Sequence, residues 1–291
     1  MRIKTFLMLT SVVILWGSSF ALIKLGLEEI PPITLAFLRF LLATPLLVAF
    51  TYIRNPKGLD TSVLRDWRRF SLLGLTGVTL YHTFQNLGLR LTTASNSSVI
   101  IAANPIFISL LSIPLLKERM NLWKILGVAL GFSGTLLIIV HEGPISLASN
   151  PLGMVGDLLS LGAGVCWALY STLGKRMLSS HNPREATTTS IIYGTLFLFP
   201  LIFSFETPVL PTSPWLWFLL FILSFLCSGV GYLFWYQALE EVEASKAGVF
   251  LFLIPIVSVS VARTLLREPL DLSFGLGTAL VMLGVIITER S

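Results

Sequence analysis

The sequence predicts an all-α membrane protein of ten transmembrane helices, built as two five-helix halves with the second inverted relative to the first. Three observations carry that expectation. The 291 residues are 54% hydrophobic and only 12% charged, with a mean hydropathy of +0.84. A soluble domain carries about 25% charged residues, so this chain cannot cover a water-facing surface. Ten apolar runs each reach the roughly 20 residues that a helix needs to cross a bilayer core. Finally, the chain repeats itself: residues 72–140 laid on 222–290, an offset of 150 without gaps, agree at 17 of 69 positions. Apolar matches are expected by chance, but matches at punctuating residues are not. These are Ala94/Ala244, Ser95/Ser245, Pro105/Pro255, Glu118/Glu268, Gly127/Gly277 and Gly134/Gly284. At an offset of 151, Trp16 falls on Trp167 and Lys24 on Lys175. An odd number of spans per copy turns the second copy upside down, and inverted repeats place a binding site near the bilayer midplane.

The elements follow in order. The first run, 5–25, starts after Arg2 and Lys4 as a signal peptide would. It continues through Trp16 and lacks a small-residue cleavage pattern, so it reads as a retained helix. Pro31 and Pro32 precede the second run, 33–53, which Asn55, Pro56, Lys57 and Gly58 end. Runs 70–89, 95–116 and 122–141 complete the first half, residues 1–142. Gly143, Pro144, Asn150 and Pro151 form the break. The second half, residues 152–291, holds runs 153–175, 186–205, 215–238, 244–266 and 270–289. Its loops carry Asn182 and Pro183, then Pro208, Pro211 and Pro214. The runs are twice the length of a barrel strand, about 10 residues.

Charge sets the orientation. The net charge of +5 and pI of 9.4 suit a nucleic-acid binder, but the basic residues lie in short loops, where topology accounts for them. With the N-terminus cytoplasmic, 15 of the 20 Lys and Arg residues fall on that side. Four (Lys24, Arg90, Arg263 and Arg267) fall outside, and Arg39 lies within a span. Both termini are therefore expected in the cytoplasm, with the chain multi-pass in the plasma (inner) membrane. Cys166 and Cys227 lie inside spans without metal-ligand spacing and are expected to pack as small apolar groups. Gly74, Gly77, Tyr81, Gln85 and Gly88 form one stripe on the third helix, and Gly127, Gly131 and Gly134 another on the fifth. Such stripes let helices approach closely in lipid.

Several segments resemble those of the EamA-type transporters of the drug/metabolite transporter superfamily. The opening ILWGSSFALIKLGLEEIPPITLAFLRFLLATPLLV is one, and GDLLSLGAGVCWALYSTLGKRM, at the start of the second half, is another. TTASNSSVIIAANPIFISLL and VEASKAGVFLFLIPIVSVSV are similar to the family's paired fourth and ninth helices. Each is followed by an acidic end, LLKE or LLRE, where the family often has Leu-Gly-Glu. The resemblance spans nearly the whole chain. It implies two inverted EamA repeats around a central cavity, with substrates among relatives ranging over amino acids, sugars, nucleotide-type metabolites and toxic cations.

The candidate site residues come from the spans. Pro105 and Pro255 are repeat mates within their runs, each freeing the carbonyl four residues back, those of Ile101 and Leu251. In lipid such a break needs protein or water beside it, so the pair reads either as gating elements or as packing kinks. Tyr81, His82, Gln85 and Asn86 put polar groups on the third helix, and Asn104 adds one on the fourth. The mates of His82, Gln85 and Asn86 in the second copy are aromatic, Tyr232, Trp235 and Tyr236, while Gly231 falls opposite Tyr81. Trp16 and Trp167 lie mid-span, away from the interfacial position usual for tryptophan, and read as core packing or as a cavity wall. Arg39, near a helix end, reads as a structural charge. His82 and Asp157 are the protonatable groups farthest from the loops, so they are the candidates for proton coupling, although Asp157 in a first helical turn also suits the helix dipole.

The expectation is a non-enzymatic, secondary-active exporter of small organic metabolites such as amino acids, working by alternating access in the bilayer. One alternative is an efflux pump for lipophilic or aromatic cations. Another, of a different class, is a membrane enzyme or lipid-handling protein. The chain has no HExxH and no paired catalytic aspartates, which argues against an intramembrane protease, and no GxxxxGK[ST] loop, which argues against ATP-driven transport. No cofactor or metal is expected, the partner is a small-molecule solute rather than nucleic acid, and both monomer and homodimer remain open.

Overall fold

A computed structural model describes residues 1–55, 63, 65–91, 100–101, 103–142, 151–266 and 272–290. All its described elements are helical. In chain order they are α1 (Ile3–Glu29), α2 (Pro32–Arg54), α3 (Trp67–Gly74), α4 (Tyr81–Leu91), α5 (Asn104–Leu116), α6 (Leu122–Glu142) and α7 (Pro151–Met177). There follow α8 (Pro183–Phe205), α9 (Pro214–Ile222), α10 (Gly231–Glu241), α11 (Ala244–Val249), α12 (Ile254–Leu266) and α13 (Leu272–Arg290). Wide π-helical turns, Leu75–Leu80 and Leu223–Val230, join α3 to α4 and α9 to α10. A 3₁₀ turn, Phe250–Leu253, joins α11 to α12.

The prolines start helices as often as they break them. Pro183 and Pro214 stand in the first turns of α8 and α9, where a missing N–H is no loss. The preceding Asn182 and Ser213 accept from the backbone of Arg184 and Leu216 at 3.0 and 3.2 Å. Pro32 opens α2, whose free Ile33 and Thr34 amides donate to the Glu206 carboxylate at 2.9 and 2.8 Å.

Six helical stretches are long and apolar enough to cross a membrane: Ile3–Glu29, Pro32–Arg54, Leu152–Met177, Pro183–Phe205, Pro214–Glu241 and Ala244–Val261. Asn104–Leu116 and Leu122–Leu137 are shorter apolar helices. The surface of the bundle is oily. Leu158, Phe199, Phe203, Phe218 and Phe221 are all more than half exposed, while Thr44, Thr51, Thr188 and Thr195 bond to one another between α2 and α8. That inversion of the soluble pattern marks a multi-pass membrane protein, in which polar side chains hold helices together. Trp123 and Trp215 are exposed near helix ends, the position expected of interfacial tryptophan. Cys166 and Cys227 are buried free thiols.

The pairing of α6 with α13 reports how the two halves relate. A Cβ added to Gly127 would stand 2.7 Å from the Gly284 carbonyl, and one added to Gly134 would stand 2.6 Å from that of Gly277. Only glycine permits that approach. Exchanging each residue for its repeat mate turns the pair 127–284 into 277–134, so the contact maps onto itself, as a two-fold interface must. Residue numbers rise along one helix as they fall along the other, so the helices are antiparallel. A two-fold axis between antiparallel helices runs across them, not along them.

The repeat also reaches the backbone. The π turns fall at matching positions, 75–80 and 225–230 within the longer second stretch, once the offset of 150 is applied. A π turn widens the helix and misaligns its hydrogen bonds, and such turns are frequent at functional sites. Gly77 and Cys227, repeat mates within these turns, each give their carbonyl to an aromatic donor from the other half. Tyr232 Oη donates to Gly77 O at 2.9 Å, and Trp16 Nε1 to Cys227 O at 3.0 Å. Pro105 and Pro255 are each the second residue of an α-helical stretch, α5 or α12, and Pro255 lies inside the continuous helical run 244–266. The turn before each is tight, with the 3₁₀ stretch Phe250–Leu253 in one copy and an Ala103 N to Ile100 O bond of 3.1 Å in the other.

Candidate functional site

A cavity of about 940 Å³ lies between the two halves. Its mouth is at the end of the bundle holding the α1–α2 connection, where Lys24, Glu28, Glu29 and Arg90 line it and are exposed. Its floor is aromatic. Trp16 and Trp167 meet edge to face with ring centroids 4.9 Å apart, and Tyr232 stands 5.8 Å from Trp16. His82 Nε2 lies 2.8 Å from Tyr232 Oη. Trp16/Trp167, His82/Tyr232 and Thr44/Thr195 are pairs of repeat mates in mutual contact. A residue touching its own symmetry mate sits on the axis, so the cavity ends where the two copies exchange.

The hydrogen-bond inventory assigns His82 a tautomer. Tyr232 has one hydroxyl proton, and giving it to Gly77 O leaves the oxygen to accept. His82 then donates through Nε2–H. Trp16 fits because position 231 is glycine: a Cβ there would fall 2.6 Å from Trp16 Nε1.

Beyond the floor the bundle is shut. Tyr170 and Tyr236 stack with centroids 4.8 Å apart, and both are fully buried. Trp235 Nε1 donates to Ser171 Oγ at 3.2 Å. Farther along, charged side chains tie helix ends together. The buried Glu118 carboxylate accepts from Ala244 N at 2.6 Å, Ser245 N at 3.1 Å and Ser245 Oγ at 2.6 Å. Lys117 adopts a left-handed conformation, φ 57°, which ends α5 and precedes this cap. Lys175 Nζ donates to the Leu239 and Val242 carbonyls at 2.6 and 2.5 Å, closing the end of α10. Lys124 pairs with Glu243. The chain termini lie at this end, with the Met1 ammonium 2.9 Å from Glu289.

Of the candidates read from the sequence, Trp16, Tyr81, His82, Gln85, Asn104, Trp167, Tyr232 and Pro255 line the cavity. Asn104 Oδ1 is buried without a hydrogen-bond partner among the described residues. Asn86, Trp235, Tyr236 and Pro105 stand elsewhere. Asn86 Nδ2 donates to Pro32 O at 2.9 Å, Trp235 and Tyr236 pack beneath the floor, and Pro105 is buried beside Asn104. Asp157 is half-buried on α7, away from the lining. Sequence reasoning set Arg39 aside as a structural charge. It is 4% exposed and lines the cavity, its Nε donating to Ser228 Oγ. The signal was present, because an ionisable residue within a span is a functional candidate by default. Among the described residues no cluster of three His, Cys, Asp or Glu side chains exists to hold a metal.

Comparison with known proteins agrees with this architecture. The model of the EamA-like transporter family matches twice, over residues 3–140 and 154–290. An uncharacterised transporter of Archaeoglobus fulgidus is 37% identical over 99% of this chain and 98% of its own. A probable terminal-alkyne amino-acid exporter of Streptantibioticus cattleyicolor is 29% identical over 96% and 91%. One crystal structure, 19% identical, superposes with a TM-score of 0.85 over 100% of this chain and 98% of the other, a likeness of fold.

Proposed function

Because this chain belongs to the EamA-like transporter family, we propose that it is a secondary-active exporter of small organic solutes, amino acids and related metabolites first among them. The observation that carries the reading is the cavity ending on the axis between the halves, open at one end of the bundle and shut at the other. Two inverted five-helix repeats, with ten crossings in all, supply the means. A conformation open at one face has an equivalent, related by the two-fold axis, that opens at the other, and exchange between them is alternating access. The antiparallel crossing of α6 and α13 supports the inversion. Both termini at one end support an even number of crossings, and the basic bias puts that end in the cytoplasm of a plasma-membrane protein. The solute would rest against Trp16 and Trp167, with Tyr81, Gln85 and Asn104 as polar contacts. Pro105 and Pro255 would act as hinges beside the tight turns. His82, bonded to Tyr232, would be the group for proton coupling.

Flux of labelled amino acids in proteoliposomes, normalised to folded protein, tests this. Gln85→Ala and Asn104→Ala are expected to lower flux at least tenfold while leaving insertion intact. Wild-type flux in both variants sinks the assignment of the site. Terminal tags reached from outside the cell would sink the orientation.

A further inference from the structure

We infer that the solute carries a carboxylate, or an anionic group of the same geometry, and that Arg39 receives it. The inference rests on the transport reading of the cavity and narrows its substrate class.

Among the described residues, Arg39 is the only charged side chain on the deep wall. The other charged residues lining the cavity, Lys24, Glu28, Glu29 and Arg90, are all exposed at the mouth. Among the described residues no carboxylate lies within ion-pair distance of Arg39. Its Nε is used by Ser228, and its guanidinium stands 5.5 Å from the Phe40 ring centre. Its two terminal nitrogens make no hydrogen bond to any described residue, yet Arg39 faces the cavity.

An arginine inside a membrane is costly and normally pairs with an acid or a helix end. Here the partner is missing at the place where a solute would sit. A guanidinium edge presents parallel N–H donors spaced to take both oxygens of one carboxylate, and in a low-dielectric site that charge-assisted pair is strong. The same wall repels the cations considered from the sequence alone, since among the described residues no acid lines the cavity beside the aromatic floor to offset Arg39. The aromatic rings then serve the remainder of the solute. Trp16, Trp167 and Tyr81 offer faces to an apolar chain while the carboxylate turns toward α2.

The test uses matched probes on purified full-length protein in detergent: L-phenylalanine, 3-phenylpropanoate, L-phenylalaninamide and phenethylamine, with leucine and leucinamide as an aliphatic pair. Binding is read from tryptophan fluorescence and thermal shift, since a ligand of the native state raises its midpoint. The two acid-bearing aromatic probes and leucine are expected to bind at least tenfold more tightly than the amides and the amine. Arg39→Gln is expected to erase that gap, and Arg39→Lys to keep part of it. The wild-type comparison stands even if a variant fails to fold. The inference is overturned if no acid exceeds its amide, or if phenethylamine binds best. Flux of amides or amines that depends on Gln85 and Asn104 would likewise remove the anion site while leaving transport in place. Acid-selective binding lost in Arg39→Gln, without flux of any probe, would keep the anion site and remove the transport reading.

Discussion

Lys24 and Lys175 are repeat mates, and their surroundings differ. Lys175 is inserted into the end of α10, holding two carbonyls, at the shut end of the bundle. Lys24 is exposed at the cavity mouth and makes no hydrogen bond or ion pair with described residues. The same residue in the same place of the repeat is a lock in one copy and is disengaged in the other. Internal symmetry therefore gives two equivalent ends, and the conformation breaks the equivalence. The partners that the mouth end would use, Ala94, Ser95 and Glu268 as mates of Ala244, Ser245 and Glu118, lie outside the described residues.

The comparison is broken most severely where the two ends meet. Trp16→Ala removes a ring that touches Trp167, Tyr232 and Trp235 and leaves Cys227 O without its donor. A loss of about 4 kcal/mol is expected, in the range for large aromatic truncations. Thermal unfolding in detergent measures it, with exposed Trp215→Ala as the control expected to change little. A small effect of Trp16→Ala would show that the floor is not a packed element.

Glu118→Ala attacks the shut end alone. Three donors at the start of α11 lose their acceptor, which is expected to cost about 3 kcal/mol. Hydrogen exchange should rise across residues 244–249 and hardly change across α2. Uniformly raised exchange would mean that Glu118 supports the whole fold instead of one end.

The two lysines give the most direct contrast. Lys175→Met is expected to lower stability by about 2 kcal/mol, because it strands two carbonyls, whereas Lys24→Met should stay within about 0.5 kcal/mol, as an exposed substitution does. Equal shifts in a melting experiment would refute the asymmetry. The smallest effect concerns Lys117, a non-glycine residue at φ 57°. Lys117→Gly should stabilise the protein by about 1 kcal/mol, the usual cost of left-handed backbone for a residue with a Cβ. The resemblance noted in sequence, where relatives often place glycine before this glutamate, points the same way. A destabilised Lys117→Gly variant would mean that the lysine side chain contributes to the closed end.

Much of the architecture was legible in the sequence. Apolar runs with loop punctuation located the helices. The gapless offset of 150 named pairs, such as His82/Tyr232 and Gly127/Gly277, that turn out to lie on or across the axis between the halves. Those signals are local or periodic, and a membrane enforces them: a backbone that leaves water must satisfy itself within a helix.

What the sequence could not decide was which side of each helix meets which neighbour. Helical spacing made Asn86 and Tyr236 as eligible for the cavity as His82 and Gln85, but Asn86 is taken by the Pro32 carbonyl and Tyr236 stacks on Tyr170 beneath the floor. Position in the sequence put Pro105 and Pro255 inside their apolar runs, but the tightening of the turn just before each is visible only in the structure. Arg39 had its charge in plain view; only packing shows that no described acid approaches it. Most of all, a symmetric sequence has no means of choosing which end is open. That choice depends on how the halves tilt against each other, and so on contacts such as those of Glu118 and Lys175, which exist only once distant helix ends have been brought together.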